Sequence, residues 1–159
     1  MRGRVPRLIA LILSLALPCQ ARAGDASVGS ADTAAIRAVI SDQLGAFLRD
    51  DGAGAFADAS PTIQRVFHDP ATFMEMVRTG YQSVYRARSV EFRDLGMMES
   101  RLIQQIYMTG PDGIPVLALY EMQRQPDGSW RINGVSIARA RPGRLKIGQP
   151  GVAARAGAG

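Results

Sequence analysis

The chain predicts an α+β domain, with N-terminal helices packed on a C-terminal four-stranded antiparallel meander. Two observations carry this. Up to about Tyr85 the apolar residues recur at three- and four-residue spacing, and beyond it they alternate. Two strong turn signals, Gly110-Pro111-Asp112-Gly113 and Gln125-Pro126-Asp127-Gly128, punctuate the alternating half. Helices first, then strands joined by short turns, is the order in which helices gather on one face of an antiparallel sheet.

The first helix rests on Ile36, Val39, Ile40, Leu44, Phe47 and Leu48, whose spacing places them on one face. Ser30 or Asp32 is the expected cap, and Asp51-Gly52 the expected end. A short alanine-rich piece anchored by Phe56 follows. Ser60-Pro61 then reads as an N-cap with proline at the first helical position, and Ile63, Val66 and Phe67 give that helix an apolar side. Asp69-Pro70 repeats the signal ahead of Phe73, Met74, Met76 and Val77, and Gly80 stops the run.

The first strand shows in Val90 and Phe92, the second in Leu102, Ile106 and Met108. A third is expected over residues 115–124, and a fourth over 129–138 with a bulge near Gly134. The third strand is apolar on both sides: Val116, Ala118, Tyr120 and Met122 face one way, Leu117 and Leu119 the other. Ile103 and Tyr107 likewise oppose Leu102 and Ile106. A sheet packed on one side alternates more cleanly, so the second face is expected to be covered, most simply by a second copy in a homodimer.

The ends carry a different message. Arg2, Arg4 and Arg7 precede an uncharged aliphatic run at residues 8–17, a break at Pro18 and the small residues of Ala21-Arg22-Ala23. This is the pattern of a secretory signal peptide cleaved after Ala23, too short to span a bilayer. The expected division is a leader at 1–23, a flexible lead-in at 24–31, a domain at 32–140 and a disordered basic tail at 141–159. The expected location is exported, in the periplasm. The only cysteine, Cys19, leaves with the leader, so the mature chain has no disulfide and no thiolate chemistry. Removing the leader's four arginines lowers the formal charge from +5 to +1. Arg141, Arg144, Lys146 and Arg155 of the tail account for more than that remainder, so the body is mildly acidic. Nucleic-acid binding needs a basic face and is disfavoured. The mature chain contains no run long and apolar enough to be a transmembrane segment.

Several stretches together carry a resemblance. They are Ala34-Ala35-Ile36-Arg37-Ala38-Val39-Ile40-Ser41-Asp42-Gln43-Leu44, Ala59-Ser60-Pro61-Thr62-Ile63-Gln64, Met76-Val77-Arg78-Thr79-Gly80-Tyr81, Val84-Tyr85-Arg86 and the long run from Leu119 through Trp130 to Ile132. Over about residues 33–138 the chain resembles the bacterial domain-of-unknown-function family 4864. The resemblance implies an NTF2-like or cystatin-like layout, in which a bent antiparallel sheet wraps around helices to form a cone. It implies no activity, because that superfold hosts enzymes and inert binding modules alike.

The chemistry-bearing residues are few. His68 is the only histidine and has no carboxylate set at ligand spacing, so no metal is expected; His68-Asp69-Pro70 reads better as a helix start. No Gly-x-Ser-x-Gly elbow and no phosphate-cradling glycine loop occurs, so no catalytic residue and no cofactor is assigned. A cone enzyme of the proton-transfer type would need a buried carboxylate beside a tyrosine. Tyr120 and Glu121 are adjacent on a strand and point oppositely, and Glu91 alternates with Val90 and Phe92 toward water. Gln104 shares its face with Leu102, Ile106 and Met108. It is either a ligand contact in the cone or a hydrogen bond to a helix end or bulge. Candidate ligand-binding residues are Gln104, Tyr120, Tyr81, Tyr85 and Arg86, with Arg88 beside Arg86 at the rim. The reading is a non-catalytic module that binds a small molecule in the cone or an envelope protein partner. Its rivals are a proton-transfer enzyme and a structural domain with a filled cone.

Overall fold

The structure, a computed structural model, describes residues 28–139. The leader and the basic tail lie outside the described residues. Five helices precede four strands: α1 (Ser30–Leu48), α2 (Gly52–Ala57), α3 (Pro61–Phe67), α4 (Pro70–Gly80), α5 (Gln82–Tyr85), β1 (Ser89–Met98), β2 (Arg101–Thr109), β3 (Pro115–Arg124) and β4 (Trp130–Arg139). The sheet is an antiparallel meander in the order β1-β2-β3-β4.

The α1 helix buries Ile36, Val39, Ile40, Leu44 and Phe47, as their spacing requires, while Leu48 turns outward and is exposed. The expected N-cap does not form. Gly29 is the N-cap and makes no side-chain bond. Asp32 is taken instead by the indole of Trp130, which donates to Oδ1 at 3.0 Å. Asp51 serves both helices: its amide donates to Ala46 O at 2.9 Å and closes α1 as expected, while its side chain opens α2 by accepting from the Gly54 amide at 2.9 Å. The two proline-marked starts form as expected. Ser60 caps α3 by accepting from the Ile63 amide, and Asp69 caps α4 by accepting from the Thr72 amide. Gly80 ends α4, and the short α5 follows it.

On the sheet face toward the helices lie Leu102, Ile106, Met108, Val116, Ala118, Tyr120, Met122 and Ile132, all buried in one core with α1 and α4. Two bulges interrupt the alternation. Glu121 pairs with Gly134 and Met122 with Ile132, which leaves Asn133 unpaired, one residue from the expected bulge. Phe92 pairs with Ile106 and Leu95 with Gln104, so Arg93 and Asp94 stand opposite Gln105 alone. This second bulge keeps Phe92 and Leu95 on one face although they are three residues apart. The β1–β2 hairpin turns on Glu99 and Ser100, both at positive φ (48° and 65°), the geometry of a primed two-residue turn without its customary glycine.

The segment between α2 and α3 is stitched to the outer edge of β4. The Ser60 amide donates to Ile132 O at 2.8 Å, and the Ile132 amide donates to Asp58 O at 3.0 Å. The pairing both covers part of the sheet edge and fixes where α3 begins. No helix among the described residues is long and apolar enough to cross a membrane.

Candidate functional site

A hollow of about 370 Å³ lies between α1, α3, α4 and β4. Its walls are the apolar faces that the helical spacing produces. Phe73 is the hub, with ring centroids 5.4 Å from Phe56, 5.7 Å from Phe67 and 6.2 Å from Phe47. Ile63, Met76 and Val77 add aliphatic and thioether surface, and Ile132 and Val135 close the β4 side. No acidic or basic side chain is among the lining residues. Only Gln43 and Tyr81 bring polar side chains to it.

Both are anchored. Gln43 is 3% exposed, and its Nε2 donates to Ala55 O at 3.0 Å, which ties α1 to α2. The Tyr81 hydroxyl donates to Val135 O at 3.2 Å, which ties the α4–α5 junction to the open edge of β4. Tyr81 was expected at the site from the sequence, and Gln43 was not. Its signal was the same as that of Gln104: a polar residue at an apolar position, three after Ile40 and four before Phe47.

The other candidates fall elsewhere. Gln104 and Tyr120 are cross-strand partners, both fully buried in the core beneath the helices, and neither lines the hollow. Gln104 Nε2 donates to Arg93 O at 2.9 Å and to Gln105 O at 2.9 Å, and lies 3.4 Å from Asp94 O. It supplies the donors that the β1 bulge leaves wanting. Its Oε1 and the Tyr120 hydroxyl have no partner among the described residues. Burial pushes the Tyr120 phenol well above its ordinary range.

Tyr85 and Arg86 converge on Asp50, which turns the chain after α1 at a φ of 57°. Arg86 Nη2 donates to Asp50 Oδ2 at 2.6 Å, and the Tyr85 hydroxyl donates to Oδ1. Arg78 of α4 adds a contact to Oδ1 at 3.3 Å. Arg86 Nη1 also donates to Phe47 O, the kind of cation that suits the carbonyl end of a helix. These bonds, the Tyr85 one foremost, hold the Asp50 carboxyl down to about 2. The cluster locks the end of α1 to α4 and α5 outside the hollow. Arg88 is exposed, and its backbone amide donates to Thr109 O.

One carboxylate is pushed the other way. Asp58 is half-buried beside Asp42, and desolvation followed by that like charge raises it to about 6. It is not among the lining residues of the hollow. His68 closes α3 at a φ of 65°, and Asp69 beside it caps α4. Among the described residues no group of three or more His, Cys, Asp or Glu is placed to hold a metal ion.

Fold and site together define an α+β protein with an uncharged apolar hollow between its helices and the edge of its sheet. The family model described as Domain of unknown function (DUF4864) matches residues 29–144, and the chain belongs to that family. No curated protein and no solved structure matches the chain.

Proposed function

We propose that the protein is an exported, non-catalytic binding module that takes one small apolar molecule in the hollow between α1, α3, α4 and β4. The observation that carries the reading is the hollow itself: about 370 Å³, with aromatic and aliphatic walls and no charged side chain among its lining residues. Binding pockets for small molecules are of this size, mostly apolar, with a few placed polar groups. A filled interior would leave no such space. A proton-transfer site would place a carboxylate among the lining residues, and the one acid raised by burial, Asp58, is not there. The leader pattern at residues 1–23 supports export, with the mature chain beginning at Gly24.

The test uses the full chain expressed with its leader and recovered from the envelope, where its intact mass reports cleavage after Ala23. The neutral fluorophore N-phenylnaphthylamine is then titrated against it. Saturable one-to-one binding is expected, and Ile63→Trp, which fills the hollow from α3, is expected to weaken it tenfold or more while the protein still melts cooperatively. Absence of saturable binding, or binding unchanged in Ile63→Trp, overturns the reading.

A further inference from the structure

We infer, building on the reading of the hollow as a binding site, that its ligand is a neutral molecule with an apolar body and one hydroxyl-type group, held by the amide of Gln43. Two features of the walls point there.

The first is charge. The lining residues offer no ammonium, guanidinium, imidazole or carboxylate. A carboxylate or ammonium headgroup entering would give up its water with no counter-charge to meet it, and that loss is severe in an apolar setting. Fatty-acid-like and amine-like ligands are therefore disfavoured, although their tails would fit the walls as well as any other.

The second is the state of the polar groups. Gln43 is nine-tenths buried, yet only one of its amide hydrogens is committed, to Ala55 O at 3.0 Å. An amide has two donors and a carbonyl acceptor, so Gln43 retains one N–H and Oε1. Gln43 Oε1 is not among the buried polar atoms left without a partner, so it opens on accessible space, where a ligand that both donates and accepts can meet the amide in full. A hydroxyl does both. A carboxylate could accept from the N–H but would set like partial charges against Oε1. The Tyr81 proton is already given to Val135 O, so the phenol can only accept. The Ala55 bond also fixes the Gln43 side chain before any ligand arrives, which lowers the ordering cost of recognition.

The experiment holds the tail constant and varies the headgroup. Octanol, octanoate and octylammonium compete against N-phenylnaphthylamine at neutral pH on the unaltered protein. Octanol is expected to displace the fluorophore at least tenfold more effectively than either charged analogue. Gln43→Leu is expected to erase the preference for octanol, read as the ratio of the three displacements at whatever fluorophore affinity that variant keeps. Gln43→Glu, which keeps the shape of the side chain, is expected to shift preference toward octylammonium. Equal displacement by all three compounds overturns the headgroup inference but leaves the hollow as an apolar site. Failure of the fluorophore itself to bind overturns the underlying reading instead. A preference for octanol that survives in a folded Gln43→Leu protein shows that another group selects the headgroup, and overturns the role of Gln43.

Discussion

Tyr120 shows how a buried polar group divides its side chain between two tasks. Its ring fills the centre of the core, fully buried, while its hydroxyl has no partner among the described residues. Removing that oxygen keeps the ring packing and deletes a desolvated group. Tyr120→Phe is expected to raise stability by about 1 kcal/mol, measured by urea denaturation; a loss of that size would mean the hydroxyl is satisfied. Asp58 gives the opposite kind of residue-scale liability. Its folded-state value of about 6 lies above the usual 3.8, so the ionised form is penalised by folding. The penalty is full above about 6 and fades as pH falls toward 3.8. Asp58→Asn is expected to stabilise the protein at neutral pH, by about 1 kcal/mol once solvent screening is allowed for. The gain is expected to vanish in melts run in acid below the ordinary carboxylate range, and a gain independent of pH would rule the charge out as its cause.

At the scale of elements, the short helices depend on their caps more than on their length. The seven residues of α3 are too few to be stable alone. Ser60 makes α3 part of the sheet. Its Oγ accepts from the Ile63 amide at 3.3 Å and donates to Asn133 Oδ1 at 2.7 Å. Asn133, set free by its bulge, donates in turn to Glu121 Oε1 at 2.7 Å, and Glu121 Oε2 receives Arg101 at 3.3 Å. One serine thus joins a helix cap to a chain of polar contacts that crosses to the other face of the sheet. Ser60→Ala is expected to cost about 2 kcal/mol, at the upper end for a cap because the half-buried Asn133 loses its donor with it. Chemical denaturation checks this; a cost near zero would mean that the contacts are incidental.

For the whole molecule, the two faces of the sheet are treated unequally. The described helices gather on the face of Tyr120 and Ile106. The other face carries Ile103, buried, with Tyr107, Leu117 and Leu119 half-buried, and a second hollow of about 340 Å³ lined by Ile103, Leu119 and Glu121 among others. A second copy packing on this face is the proposed cover. Sedimentation of the mature chain at micromolar concentration is expected to show a dimer, and Leu119→Lys a folded monomer. A monomer from the unaltered chain would overturn the proposal.

What the sequence determined by itself was local. Helix faces follow from three- and four-residue spacing, so Ile36, Ile40, Phe73 and Val77 were legible as core. Ser60-Pro61 and Asp69-Pro70 mark helix starts through bonds that span only three residues. The meander follows from its turns. The polar misfits were legible too, because Gln104 and Gln43 break an apolar pattern, although only Gln104 was read that way. What tertiary structure decided was where those misfits point and what they meet. A bulge of one residue changes which face a side chain takes, and no local pattern marks the bulge opposite Gln105. Asp32 stays in the first turn of α1 but gives its carboxylate to Trp130, ninety-eight residues away, rather than to a cap. Tyr85 and Arg86 are claimed by Asp50 because the left-handed turn after α1 brings that carboxylate back to them. The hollow exists only because helices and the β4 edge meet around Phe73, and packing between distant segments depends on shape as well as on composition.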